Sequence, residues 1–244
     1  MRLVLVRHGQ TLSNTTNALD TAMPGADLDK TGLLQAQMLA DNFENVTGTR
    51  PSSLYVSPLD RTRQTVQPLE QKYGLTATVR EGIREVIAGD LEMSSNPDDI
   101  RIYLETLLSW IQGDLDVRMP GGEDGWQTRA RFGNVVNEAL SDTRDNFGID
   151  ATAVIVAHGA LSRFIASTLS ADVSTELVAR FPMHNASTTV LEWTGDEGDA
   201  WIGDRSLWKA HTWSDKPISE FPLTGEVAKP TSSTLRDQAP KLED

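Results

Sequence analysis

The sequence contains no cysteine. This absence excludes disulfide bonds, thiolate nucleophiles, zinc–thiolate sites and iron–sulfur clusters. Long hydrophobic runs are also missing, because no segment approaches the roughly 18 consecutive apolar residues that a membrane-spanning helix needs. The first apolar run covers residues 3–6, and it is too short for the core of a signal peptide. We therefore expect a cytoplasmic protein without a membrane segment.

Positive charge is scarce. The chain has 22 lysines and arginines against 35 acidic residues, which gives a net charge of −13. A protein this acidic is a poor candidate for binding nucleic acid or an anionic membrane. A buried group of arginines can nevertheless bind a small anion, because salt screens surface charges beyond about 8 Å. The composition is otherwise typical of a globular protein, and 244 residues are enough to bury one large core.

Short apolar runs alternate with helical patterns along the chain. The predicted strands cover residues 3–6, 54–56 and 153–157, which are continuously apolar, and residues 188–193 are a fourth candidate. The predicted helices cover residues 33–46, 97–113, 123–147 and 160–169. This alternation predicts an α/β fold, a three-layer α/β/α sandwich with a mostly parallel central sheet and an inserted helical cap.

The domain organisation follows from the same pattern. We expect residues 1–214 to form a single α/β domain, with the cap inserted at about residues 86–131. That region separates strand-like segments with helices and a Pro-Gly-Gly turn. Residues 215–244 contain four prolines among polar residues, which indicates an irregular C-terminal tail.

Charged and aromatic side chains follow three of the predicted strands. Arg7 and His8 come directly after the first strand, Arg61 follows the second, and His158 follows the third. Because the carboxyl ends of parallel strands meet at one edge of a sheet, we expect these two arginines and two histidines to converge there.

Such a cluster suits phosphate chemistry. Arg7 and Arg61 supply permanently charged, planar donors for phosphoryl oxygens. The turn into a helix after His158 is expected to add backbone N–H groups and a positive dipole end. A neutral His8 imidazole can attack phosphorus and form a covalent intermediate, while a protonated His158 can spread the charge of the transition state.

The leaving oxygen of a phosphate ester also needs an acid. Glu85 is the first candidate because it lies at the entrance to the cap, and Glu92 and Glu123 are the alternatives. A neutral His8 working with a protonated Glu85 predicts a bell-shaped pH dependence, with its optimum between mildly acidic and neutral pH.

The order of these motifs resembles the histidine phosphatase superfamily, also called phosphoglycerate mutase-like. The first motif is Leu5-Val6-Arg7-His8-Gly9-Gln10-Thr11 followed by Asn14. The remaining motifs, in chain order, are Leu28-Asp29-Lys30-Thr31-Gly32, Ser57-Pro58-Leu59-Asp60-Arg61-Thr62, Arg84-Glu85, Pro120-Gly121-Gly122-Glu123 and Val156-Ala157-His158-Gly159. Together they extend over about residues 3 to 193.

This resemblance implies roles for particular residues. His8 would be the phosphorylated nucleophile and Glu85 the proton donor. The residues expected to bind the phosphoryl group are Arg7, Gln10, Asn14, Arg61 and His158. Of these, Arg7, Arg61 and His158 also count as catalytic, and no metal ion or cofactor is expected.

Departures from the glycolytic mutases favour a hydrolase. Those mutases carry an Arg-x-Tyr-Gly core after the acid, whereas residues 86–93 read Val-Ile-Ala-Gly-Asp-Leu-Glu-Met here. The pair Gln10-Thr11 is also typical of the phosphatase branch. We therefore expect metal-independent hydrolysis of a small phosphorylated metabolite through a phosphohistidine. A cofactor-dependent phosphoglycerate mutase and a non-catalytic phosphate-binding protein stay open as alternatives, and so does a homodimer.

Overall fold

The computed structural model describes residues 1–196 and 198–225. The strands, in chain order, are β1 (Arg2–Arg7), β2 (Ser53–Val56), β3 (Thr78–Val79), β4 (Thr152–Ala157), β5 (Thr188–Trp193), β6 (Trp208–Ala210), β7 (Thr212–Trp213) and β8 (Lys216–Pro217). The α-helices are α1 (Leu12–Thr16), α2 (Lys30–Thr47), α3 (Asp60–Tyr73), α4 (Pro97–Ile111), α5 (Gly125–Phe147), α6 (Gly159–Leu169) and α7 (Thr175–Arg180).

The central sheet has the strand order β3-β2-β4-β1-β5-β6. The pairs from β3 to β1 are parallel, whereas β5 is antiparallel to both of its neighbours. The register places Arg7 opposite Ala157 and Val56 opposite Val156, so β1, β4 and β2 end almost level. The mostly parallel sheet is confirmed, and the residues that follow these three strands meet at one edge.

Helices form the two outer layers, and a hydrophobic core lies between each layer and the sheet. On one face, Leu5 and Ile155 pack with Phe132 of α5 and Phe164 of α6. On the other face, the alternate side chains of the same strands pack against α2 and α3. Period-two alternation along each strand sends successive side chains to opposite faces, which confirms the three-layer sandwich.

The helices begin close to where the sequence predicts them. Asn96 caps α4 through its side chain, and Pro97 occupies the first turn. Helix α5 begins at Gly125, slightly later than predicted, because Asp124 is its N-cap and accepts a hydrogen bond from the backbone of Gln127. Helix α3 was not predicted. Its buried apolar residues Val66 and Leu69 lie in a strongly polar segment, so the hydrophobic periodicity is weak.

The cap region contains the two helices that its sequence predicts, and the chain end includes a short strand. Residues 86–131 contain α4 and the first turns of α5, and Trp110 of α4 stacks against Phe164 of α6, with ring centroids 5.6 Å apart. That residues 86–131 form an inserted cap stays a prediction. Of the predicted irregular tail, residues 215–225 instead include β8, and the Asp215 carboxylate accepts hydrogen bonds from Thr188. The rest of that tail, residues 226–244, lies outside the described residues.

No helix in the described part of the chain is both long and apolar enough to cross a lipid bilayer.

Candidate active site

A cavity of about 150 Å³ opens at the edge of the sheet where β1, β2 and β4 end. Five of the predicted site residues line it: Arg7, His8, Asn14, Arg61 and Glu85. His158 is fully buried just behind His8, with the two imidazole centroids 5.4 Å apart. The predicted convergence of two arginines and two histidines therefore occurs.

The His8 ring is held in one tautomer. Its Nδ1 atom lies 2.7 Å from the carbonyl oxygen of Gly9. Because a carbonyl oxygen can only accept, Nδ1 must carry the hydrogen, and Nε2 keeps the lone pair. Burial, with the positive charges of Arg61 and Arg7, lowers the pKa of His8 well below its ordinary value of 6.5. At neutral pH the ring is therefore uncharged, with Nε2 able to act as a nucleophile.

The imidazole of His158 is held by a hydrogen bond to a serine. His158 Nε2 lies 2.7 Å from the Oγ atom of Ser57, the residue that follows β2. Burial, and then the charges of Arg61, His8, Arg131 and Arg7, lower the pKa of His158 well below 6.5. The protonated His158 expected from the sequence thus requires an anion nearby, since a phosphoryl group would oppose these effects and raise the pKa again.

Arg7 lies against the first turn of α6. One of its guanidinium nitrogens donates to the carbonyl oxygen of Met183 at 2.6 Å. A Cβ atom added to Gly159 would lie 3.1 Å from Arg7 Nε, so a residue without a side chain after His158 lets the guanidinium approach the helix closely. This contact favours glycine at the position that follows the histidine.

Arg61 is oriented by an acidic partner that the sequence did not reveal. Its Nη2 group donates to the carbonyl oxygen of Asp20 at 2.8 Å, and Nη1 lies 3.7 Å from the Asp20 carboxylate. The carboxylate is itself fixed by Ser13 and by the backbone of Ala26. Nη1 is buried and makes no hydrogen bond with any described residue, and a phosphoryl oxygen in the cavity would supply that bond.

Glu85 caps the N-terminus of α6. Its carboxylate accepts hydrogen bonds from the backbone N–H groups of Ala160 at 3.1 Å and Leu161 at 2.8 Å, and from its own neighbour Val86 at 2.9 Å. The sequence assigned these helix amides to a phosphate, and that expectation is wrong for Ala160 and Leu161. The positive end of α6 instead holds the candidate acid at the cavity wall.

The two amide side chains of the first motif have different surroundings. Asn14 lines the cavity, and its Oδ1 atom accepts from Thr11 and from Asn185. Those contacts leave the Nδ2 group as the end that can donate to a phosphoryl oxygen. Gln10, by contrast, donates to the carboxylate of Asp29 at 2.9 Å and does not border the cavity. Its predicted role in binding phosphate has no support in this geometry.

The two alternative acids serve other contacts. The Glu92 carboxylate accepts hydrogen bonds from Thr21 and from the backbone of Ala22, which holds the loop that carries Asp20. Glu123 is paired with Arg131. Neither borders the cavity. Among the described residues, no group of three or more acidic, histidine or cysteine side chains could hold a metal ion.

The far wall of the cavity is formed by residues that sequence reasoning missed. Ile100, Tyr103 and Leu104 of α4 face the cavity from one side, and Arg163 of α6 from another. The Tyr103 hydroxyl donates to the carbonyl oxygen of Val86 at 2.9 Å. Arg163 lies four residues beyond Gly159, hence on the same helix face, and this spacing is the one signal that could have placed it in the site.

Comparisons with known proteins agree with this arrangement. A family model described as the histidine phosphatase superfamily (branch 1) matches residues 3–201. The chain is 27% identical over 234 residues to the probable phosphoglycerate mutase GpmB of Shigella dysenteriae, which covers 94% of this chain and 100% of that protein. It is 37% identical over 123 residues to the PE-PGRS family protein PE_PGRS11 of Mycobacterium tuberculosis, covering 49% of this chain and only 20% of that protein.

Among solved structures, the chain is similar to a mycobacterial glucosyl-3-phosphoglycerate phosphatase in complex with VO3. The TM-score is 0.67 at 27% identity, and the match covers 87% of this chain and 98% of that one.

Proposed function

This chain belongs to the histidine phosphatase superfamily (branch 1), and on that premise we propose that it hydrolyses small phosphomonoesters through a phosphohistidine at His8, without a metal ion. The observation that carries the proposal is the His8 ring. It is neutral, it presents Nε2 as the unprotonated nitrogen, and it shares one cavity with two arginines and with the Glu85 carboxyl. A protein that only binds phosphate needs no group to protonate a leaving oxygen.

The first chemical step transfers the phosphoryl group to the protein. His8 Nε2 attacks phosphorus, the new N–P bond forms, and the bond from phosphorus to the ester oxygen breaks. Protonated Glu85 gives its proton to that oxygen, so the alcohol leaves neutral. Arg7 and Arg61 bind the equatorial oxygens, where charge accumulates in the transition state.

The second step restores the protein. Water attacks phosphorus while the Glu85 carboxylate removes its proton, and the N–P bond breaks with its electrons returning to His8 Nε2. Inorganic phosphate and protonated Glu85 result. His158 gains a proton when the phosphoryl group is bound and loses it when phosphate leaves. Its Nδ1 atom is buried and makes no hydrogen bond with any described residue, so the negative charge of the phosphoryl group would stabilise a proton there.

The far wall of the cavity supports a substrate with a second anionic group. Arg7 and Arg61 suffice for the transferred phosphoryl group, and Arg163 adds a third guanidinium to the same cavity from the wall formed by α6. A third positive group suits a carboxylate or a second phosphate on the leaving part of the substrate. Ile100 and Leu104 would contact the carbon chain between the two charges. The names of two relatives, a phosphoglycerate mutase and a glucosyl-3-phosphoglycerate phosphatase, refer to molecules that are phosphorylated glycerates.

Release of phosphate from phenyl phosphate in the presence of a chelator tests the proposal. We expect wild-type turnover, and a loss of at least 1,000-fold in His8→Ala, as for a removed nucleophile. His211→Ala is the matched control, because this histidine is partly exposed and pairs with Glu192 instead of facing the cavity. An inert wild-type protein across a panel of phosphate esters, or full activity in His8→Ala, would contradict the proposal.

A phosphoglycerate mutase is the second candidate, and the likeness to GpmB over nearly the whole chain favours it. Both reactions pass through the same phosphohistidine and differ in whether water or a second hydroxyl group accepts the phosphoryl group. Incubation with one phosphoglycerate isomer decides between them. Hydrolysis releases phosphate and glycerate, whereas a mutase converts the substrate into the other isomer with little release of phosphate.

A further inference from the structure

We propose that Arg131 and Glu123 form a clamp that positions Glu85 for proton transfer, although neither side chain borders the cavity. The inference rests on the proposed function, since it requires Glu85 to act as an acid. It assigns a role to Glu123, the last residue of the Pro120-Gly121-Gly122-Glu123 motif, which the phosphate site itself does not use.

Arg131 of α5 binds the backbone on both sides of the Arg84–Glu85 peptide. Its Nη1 group donates to the carbonyl oxygens of Gly82 at 2.9 Å and Arg84 at 2.7 Å. Its Nη2 group donates to the carbonyl oxygen of Glu85 at 3.0 Å. Three hydrogen bonds from one rigid, planar guanidinium fix the path of the chain that carries the acid.

Glu123 sets the orientation of that guanidinium. Arg131 Nε lies 3.0 Å from each carboxylate oxygen of Glu123, and Nη2 lies 2.9 Å from Oε2. Thr128 donates to the same carboxylate. Both side chains of the pair are about four-fifths buried, where a charge-assisted, bidentate pair is stronger and more directional than at the surface.

The turn that precedes Glu123 is packed against the chain that follows Glu85. The carbonyl oxygen of Pro120 accepts a hydrogen bond from the backbone of Asp90 at 2.8 Å. A Cβ atom added to Gly122 would lie 2.9 Å from the carbonyl oxygen of Ile87, so this close approach requires glycine. The turn thus fixes the position of Glu123 relative to the chain that follows Glu85, and so places its carboxylate beside Arg131.

Glu85 is therefore held at two points. The α6 amides hold its carboxylate, and the clamp holds its backbone. General acid catalysis contributes about 10²- to 10⁴-fold, and it depends on the proton lying within hydrogen-bond reach of the leaving oxygen. A displacement of about 1 Å can cost roughly a hundredfold. Loosening the clamp should consequently impair proton donation and spare phosphate binding.

The dependence of kcat/KM on the leaving group isolates this effect. Phenyl phosphate needs a proton at its leaving oxygen, whereas dinitrophenyl phosphate leaves readily as an anion. We expect Glu85→Gln to lower kcat/KM for phenyl phosphate by about a hundredfold and to affect dinitrophenyl phosphate far less. Arg131→Lys, which retains the charge but loses the planar fork, should show the same selectivity with a loss of about tenfold. Glu123→Gln should behave like Arg131→Lys.

A matched control is an ion pair that involves the same helix. Arg80 makes a bidentate pair with Glu138 of α5, which also ties this helix to the chain before Glu85 but does not contact Glu85. Arg80→Lys should leave the ratio of the two kcat/KM values unchanged. Equal losses on both esters in Arg131→Lys and Glu123→Gln, or the same selective loss in Arg80→Lys, would overturn the clamp. A wild-type protein that hydrolyses neither ester would instead overturn the proposed function.

Discussion

Ser57 Oγ lies 2.7 Å from Nε2 of His158, and both side chains are fully buried. This is the one hydrogen bond that a described residue makes with the His158 ring, since Nδ1 has no such partner. The serine therefore fixes the orientation of the imidazole behind His8. A buried ring nitrogen left without a partner is costly, and a ring without an anchor can rotate.

We predict that Ser57→Ala lowers kcat/KM for phenyl phosphate by about tenfold and the free energy of unfolding by about 1–3 kcal/mol. Steady-state kinetics and chemical denaturation measure the two effects. Ser162→Ala is the control, because Ser162 is equally buried but its Oγ makes no hydrogen bond with a described residue. Equal effects of the two substitutions would show that the Ser57–His158 hydrogen bond has no special role.

The acid limb of the pH profile should lie well below pH 6.5. Burial and the charges of Arg61 and Arg7 lower the pKa of His8, so the nucleophile stays neutral as the pH falls from 7 through 6.5. Activity should then fall at lower pH, when His8 is protonated and its Nε2 atom can no longer attack phosphorus. A profile of kcat/KM against pH checks this, and an acid limb centred at or above pH 6.5 would contradict it.

Stability should fall on mild acidification. The pKa values of His8 and His158 are both lowered in the folded protein, so between those values and about 6.5 the unfolded chain binds more protons than the folded one. The free energy of unfolding then decreases as the pH falls through this window. Denaturation at a series of pH values measures the slope, and we expect a shallower slope in His158→Asn. An unchanged slope in that variant would argue against the shift.

Arg163 should discriminate between substrates by charge. Phosphoglycerate carries a carboxylate where glycerol phosphate carries a hydroxymethyl group, so the pair isolates the second anion. We expect Arg163→Met to lower kcat/KM for phosphoglycerate by about tenfold, which corresponds to the loss of one charge-assisted hydrogen bond of about 1.5 kcal/mol. The same substitution should change kcat/KM for glycerol phosphate less than about threefold. Parallel losses on both substrates would place the second anion elsewhere.

Chelation should not affect turnover. Arg7 and Arg61 provide the positive charge at the phosphoryl group, and His8 supplies a nucleophile that needs no activation by a metal ion. We predict equal rates of phenyl phosphate hydrolysis before and after dialysis against a strong chelator. A loss of activity that added divalent cations restore would contradict this prediction.

Much of the site could be predicted because it depends on the ends of parallel strands. Arg7 ends β1, and His8 and His158 follow directly after β1 and β4, whose apolar runs are plain in the sequence, so their meeting point follows from the topology. Glu85 was the first candidate for the acid because of its place at the entrance to the cap, and the resemblance to the family then matched it to the proton donor.

The supporting residues were not predictable for a physical reason. Asp20 lies in a loop without a repeating pattern, and Arg131 has the sequence surroundings of any charged residue on an exposed helix face. Their roles depend on contacts 41 and 46 residues away along the chain, which appear only after folding. The same applies to the α6 amides, which bind Glu85 instead of a phosphate.

The most direct test of the central claim is to identify the phosphorylated residue. Protein mixed with dinitrophenyl phosphate is denatured within milliseconds in base, where phosphohistidine survives, and the peptides are analysed by mass spectrometry. We predict one phosphoryl group on the peptide that contains His8, and its absence in His8→Ala. Steady turnover with no phosphorylated peptide, or with phosphate on a different residue, would contradict the account.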